Sequence, residues 1–131
     1  MSEENKSIVQ KAMADLLRTG DVDALGTVLS DEFVHHRPDS STAKEEWLGR
    51  VRAAWGHIAD MQVDVLQILA DGDYVVLRTR RRLPGGGPEV VIVDTWRFDG
   101  GLIAEAWEVI EPVAQAAANL RWWATAEPTM N

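Results

Sequence analysis

The chain has 131 residues, 46% of them hydrophobic and 26% charged, a composition that suits one folded domain over residues 1–131 and excludes a disordered chain. Its net charge of −8 argues against nucleic acid as a partner, and the absence of cysteine excludes disulfides and thiolate metal sites. The opening "MSEENKSIVQKAM" is unlike a signal peptide, and no apolar run approaches the roughly 20 residues that cross a bilayer, so a soluble cytoplasmic protein is expected.

Residues 5–18 place apolar side chains in pairs, Ile8 with Val9, Ala12 with Met13 and Leu16 with Leu17, which predicts a helix with one broad apolar face. Gly20 ends it, and Asp21 caps a short second helix in which Val22, Leu25, Val28 and Leu29 share a side. "EFVHH" reads as a brief strand stopped by Pro38. "STAKEEW" offers a capping box, Thr42 with Glu45, for a helix that buries Trp47, Leu48, Val51, Ala54, Trp55 and Ile58. The period then changes to two. Met61, Val63, Val65, Gln67 and Leu69 alternate with Gln62, Asp64, Leu66 and Ile68, and "ADGD" turns the chain into "YVVLRTRRRL". The arginines there, Arg78, Arg80, Arg81 and Arg82, read as a solvated strand end or as partners for the surplus acids. "PGGGP" leads into a last hairpin, "VIVDTWRFDGGLIAEAWEVIEP", and the tail carrying Trp122 and Trp123 reads as a short helix or a wrapped segment. Helices ahead of a strand meander predict an α+β fold, a cone-shaped, curved mixed or antiparallel sheet wrapped over N-terminal helices with a pocket at its open end.

The hairpin puts two acids where apolar residues belong. Asp94 alternates in step with Ile92, Trp96 and Phe98, and Glu108 with Ala104, Ala106 and Ile110, so both carboxylates share the apolar face. With a loop from Asp99 to Gly101, Phe98 faces Leu102, Trp96 faces Ala104 and Asp94 faces Ala106. Asp94 and Glu108 are then diagonal neighbours, and burial together with mutual repulsion would bring Glu108 toward neutrality as a general acid/base. With a shorter, two-residue loop the other face turns inward, carrying Ile103, Glu105, Trp107 and Val109. Asp94 would equally serve as a structural acid held by backbone or by Arg97. Of the histidines, His36 is read as the inward one and His35 as its outward neighbour. Both could ligate metal with Asp94 and Glu108, but adjacent strand residues point opposite ways, so no metal site is expected.

Two stretches carry a family likeness. "LLRTGDVDALGTVLSDEFVHHRP" and "DTWRFDGGLIAEAWEVIEP" resemble the opening and the closing hairpin of the SnoaL-like polyketide cyclases, and the likeness runs over roughly residues 6–112. These belong to the nuclear transport factor 2-like superfamily, with the ketosteroid isomerases and limonene epoxide hydrolases. The resemblance implies that Glu108 stands where the cyclases carry their catalytic carboxylate, usually an Asp. It implies that Asp94 is a second titratable group on the neighbouring strand and that His36 is the histidine of a His-x-Pro segment at the pocket mouth. "RRRLPGGGPEV" is shorter than the family's Gly-Thr-His-x-Gly segment and lacks its histidine. The Arg of the epoxide hydrolases' Asp-Arg-Asp arrangement has no assigned counterpart.

The resulting expectation is an enzyme of cyclase or isomerase type, working without a cofactor on a small apolar or polycyclic carbonyl compound. Glu108 moves the proton, Asp94 assists, His36 donates to the oxyanion, and Trp96, Trp55 and Phe33 line the substrate site. The alternative is a non-catalytic pocket protein, or a homodimer paired through its sheet with Trp107, Trp122 and Trp123 at the contact.

Overall fold

The computed structural model describes residues 2–123. Helix α1 spans Ser2–Thr19, α2 Val22–Gly26 and α3 Lys44–Ile58. The strands are β1 (Leu29–Arg37), β2 (Ser40–Ala43), β3 (Gln62–Asp71), β4 (Tyr74–Arg82), β5 (Glu89–Asp99) and β6 (Leu102–Pro112), and a 3-10 helix follows at Val113–Trp123. They form one six-stranded sheet in the order β2-β1-β6-β5-β4-β3. The pair β1·β6 is parallel and the others are antiparallel, so of the mixed and antiparallel sheets that the sequence left open the sheet is the mixed one. The helices pack on one face of it. The core between them holds Val9 of α1, Leu48 of α3, Phe33 of β1, Val75 and Leu77 of β4, and Trp96 and Phe98 of β5.

The helix boundaries follow local chemistry. Asp21 accepts a hydrogen bond from the Ala24 amide at 3.0 Å, so α2 starts on its side-chain cap. Gly20 closes α1 with a φ of +70°, and the Trp55 indole lies directly over it. A Cβ at Gly20 would sit 2.4 Å from the Trp55 Nε1. Gly20→Ala therefore combines a left-handed backbone with overpacking and should cost about 1–3 kcal/mol. A urea midpoint equal to that of the wild type would show that Trp55 is not held there.

Two expectations are corrected. The capping box is absent, because Thr42 belongs to β2, pairs with His35 and turns its hydroxyl to the His35 carbonyl at 3.5 Å. Ala43 is the residue before helix α3 and gives it no side-chain cap. In β3 the strict alternation breaks at Leu66. A register shift between Val65 and Gln67 hands the inner face from Val63 and Val65 to Ile68 and Ala70.

The last hairpin resolves the two registers in an unforeseen way. Its loop is the short one: Asp99 pairs with Leu102, and Gly100 and Gly101 turn with φ of +61° and +85°, as a tight hairpin turn requires. Ile103 accordingly points inward against Phe98. A β-bulge then inserts Ala104, so Arg97 faces Glu105, Trp96 faces Ala106 and Asp94 faces Glu108. From Ala106 onward the inner face is the one carrying Glu108 and Ile110. The two acids are thus directly opposed, not diagonal, and Trp96 rather than Asp94 lies across from Ala106.

Candidate active site

Between the helices and the inner face of the sheet lies a cavity of about 350 Å³. Most of its wall is apolar. Helix α1 contributes Met13 and Leu16, α3 contributes Trp47, Val51 and Trp55, and the sheet contributes Ile92, Trp96 and Ile103. Leu83 and Pro88 close the side where the shortened "RRRLPGGGPEV" segment runs. Charged side chains interrupt it at Arg37, Arg50, Arg81, Arg82, Asp94 and Glu108, the kind of polar groups that orient a ligand in a mostly apolar pocket.

Asp94 and Glu108 are both on that wall. Asp94 is 4% exposed. Burial raises its pKa from 3.8 to about 7, against the pull of Arg81 and with the push of the Glu108 charge. Desolvation outweighs one guanidinium here. Arg81 donates to an Asp94 oxygen at 3.2 Å and to the Thr79 hydroxyl at 2.9 Å, so its planar head is fixed by two partners. Glu108 accepts from Arg37 Nε at 3.1 Å, and its Oε1 lies 3.9 Å from His35 Nε2. His35 is 3% exposed and stacks on Trp47, with ring centroids 4.8 Å apart. Burial first, then the charges of Arg37, His36 and Arg50, lowers its pKa from 6.5 to about 4, so the ring is neutral at pH 7.

The placement of the expected residues is uneven. Glu108, Asp94, Trp96 and Trp55 share the cavity. The histidines exchange places: His35 is inside and His36 is on the outer face. The reason is register, since β1 runs parallel to β6 with His35 beside inward Ala106 and His36 beside Trp107. His36 stacks on Trp107 and joins Ser41 at 2.7 Å to Glu105 at 2.6 Å. Phe33 is buried in the core behind Trp47, outside the cavity wall. Arg97 bonds Glu105 on the outer face at 3.1 Å, so the cation beside Asp94 is Arg81. Of the arginine run, Arg80 and Arg82 pair with Glu89.

Arg37 was not named by sequence, Arg81 stood there only within an arginine run read as a solvated strand end or as partners for the surplus acids, and His35 only as the outward neighbour of His36 and a metal ligand weighed and set aside. Arg81 carried a usable signal, because it alternates in step with Val75, Leu77 and Thr79, the buried face of β4. His35 carried none without the register of β1. Among the described residues, no group of three or more His, Cys, Asp or Glu is placed to hold a metal ion, and no helix is long and apolar enough to cross a membrane.

A family model described as the SnoaL-like domain matches residues 9–106. The chain belongs to this family. Solved structures of the same fold include AclR of Streptomyces galilaeus, described as a candidate hydroxylase. It is 21% identical with a TM-score of 0.76, over 90% of this chain and 85% of that one. IdmH of Streptomyces antibioticus, a candidate polyketide cyclase, is 22% identical with a TM-score of 0.67, over 88% and 98% of the two chains. An epoxide hydrolase of M. tuberculosis that is similar to limonene epoxide hydrolase is 18% identical with a TM-score of 0.68, over 84% of each. No curated protein matches the sequence. The SnoaL-like chain thus shares a cone-shaped scaffold with proteins of several described activities, and its own chemistry has to be argued from its cavity.

Proposed function

We propose that this SnoaL-like domain is a cofactor-independent acid/base enzyme acting on a small, largely apolar carbonyl compound, of isomerase or cyclase type. The supporting observation is the directly opposed pair Asp94 and Glu108 on an apolar cavity wall, each held by its own arginine. Glu108 is the base that takes a proton from the carbon next to the substrate carbonyl. Asp94, with a pKa of about 7, is divided between its acid and its carboxylate near neutrality, so its acid form can give a proton to the carbonyl oxygen. The product of the two transfers is an enol. Return of a proton from Glu108 to a different carbon, as the enol oxygen gives its proton back to Asp94, isomerises the substrate. Attack of the enol carbon on a second carbonyl closes a ring, the enol O–H proton returning to Asp94 and the proton held by Glu108 passing to the new alkoxide oxygen.

The role first assigned to His36 passes to His35, whose neutral ring stands beside Glu108. A neutral imidazole can donate to a developing oxyanion without carrying a charge into an apolar site. Arg37 and Arg81 position the two carboxyl groups. The test is deuterium incorporation from D2O next to the carbonyl of simple cyclic ketones such as 2-tetralone, followed by NMR. Exchange catalysed by the wild type supports the reading. Exchange no faster than in buffer across a panel of apolar ketones that bind would overturn it.

A further inference from the structure

The cavity wall is cationic in a chain of net charge −8. It carries four arginines, Arg37, Arg50, Arg81 and Arg82, against two acids, Asp94 and Glu108. Arg81 is committed to Asp94 and Arg37 to Glu108. Arg82 is shared between Gln62 at 3.1 Å and Glu89 at 3.6 Å. Arg50 is different. Its partner is Glu46, one turn earlier on the same helix face, at 3.3 Å and with both side chains more than half exposed. Such a pair exchanges readily with water or with a ligand.

Arg50 also stands in the right place. It lies three residues after Trp47 and one before Val51, and all three side chains reach the cavity wall. Arg50 is half exposed while Trp47 and Val51 are more deeply set, so the guanidinium occupies the rim above an apolar wall. Its charge is among those that depress the His35 pKa, which sets it on the same side as the Glu108 end of the cavity.

We infer that the substrate is an apolar carbonyl compound bearing a carboxylate, and that Arg50 binds this carboxylate at the rim while the apolar body enters the cavity. A guanidinium matches a carboxylate with two parallel hydrogen bonds, and the Arg50 guanidinium is held by the solvent-exposed Glu46 and by neither of the cavity acids. The inference names the substrate class of the site proposed above and rests on that reading only for the cavity being the ligand site.

The test compares 2-naphthoate with its neutral isostere 2-naphthamide by titration calorimetry at low salt, using the whole chain. The wild type should bind naphthoate at least about tenfold more tightly, and added salt should erode the difference, since the rim is open to solvent. Arg50→Gln, at an exposed helix position, should leave the fold intact and bring the two ligands within about twofold. Equal or tighter binding of the amide by wild type would overturn the inference, and so would an undiminished preference in Arg50→Gln. The two readings fail separately. Loss of the anion preference with ketone exchange intact would sink the carboxylate alone. A preserved preference in a chain that exchanges no proton would support the carboxylate and sink the acid/base reading.

Discussion

Glu108→Gln should slow ketone proton exchange by about 10²–10⁴-fold, the usual worth of a positioned general base, while leaving binding of the ketone within a few-fold. The amide keeps the shape of the carboxylate and can still meet Arg37 through its oxygen, so the fold should survive. What is lost is the lone pair that accepts the proton. Asp94→Asn should fall by a comparable factor for a different reason, because an amide cannot give up a proton to the carbonyl oxygen. The double variant should be little worse than the worse single one, since neither transfer helps once the other is gone. Exchange rates in Glu108→Gln within about threefold of wild type would place the base elsewhere.

The second large effect is on stability, and it is concealed in the wild type. Asp94 titrates near 7 in the fold against an ordinary 3.8, so the native state holds a proton that the unfolded chain has released. Its contribution is complete below about pH 4 and is lost as pH rises through 7, by about 4 kcal/mol. His35 titrates near 4 against an ordinary 6.5, so between those values it is the unfolded chain that holds the extra proton. Its contribution is complete above about pH 6.5 and is lost as pH falls through 4, by about 3 kcal/mol. The slopes oppose one another over pH 4–6.5 and largely cancel. Single replacements should expose them. In Asp94→Asn the stability should rise with pH across that window. In His35→Phe, which keeps a ring on Trp47, it should fall from pH 4 to 7. Urea unfolding at four or five pH values suffices, and parallel profiles for the two variants would show that these groups do not titrate as described.

Much of the fold was legible because its periods are long and clean. The paired apolar residues of α1, the Trp47-to-Ile58 face of α3 and the alternation of β5 each specify an element and its inner side. The strand β2 was missed because "SSTA" has no apolar alternation of its own. It is a strand only because β1 supplies partners from Val34 to Arg37. The same non-local cause hid His35. Which of two adjacent histidines points inward is set by a parallel pairing with β6, some 70 residues away, and nothing in "VHHRP" records it.

The acid pair shows a subtler limit. Alternation correctly placed Asp94 and Glu108 on one face, and loop composition correctly allowed a two-residue Gly-Gly turn, yet each implied the opposite of the other. A bulge at Ala104 reconciles them, and a single inserted residue leaves no mark on composition. Its chemical consequence is large. Without it Glu105 would occupy the inner face opposite Trp96 and Glu108 the outer, and Trp107 in place of a carboxylate would lie across from Asp94.

The measurement that bears most directly on this account is the titration of the Asp94 side-chain carboxyl carbon by NMR, with Asp94→Asn to assign the resonance. A midpoint near 7, far above the ordinary 3.8, would establish that a proton-holding carboxyl group stands in an apolar cavity across from Glu108. A midpoint near the ordinary value would mean that water or Arg81 keeps Asp94 ionised throughout, and the acid half of the proposed chemistry would have no source for its proton.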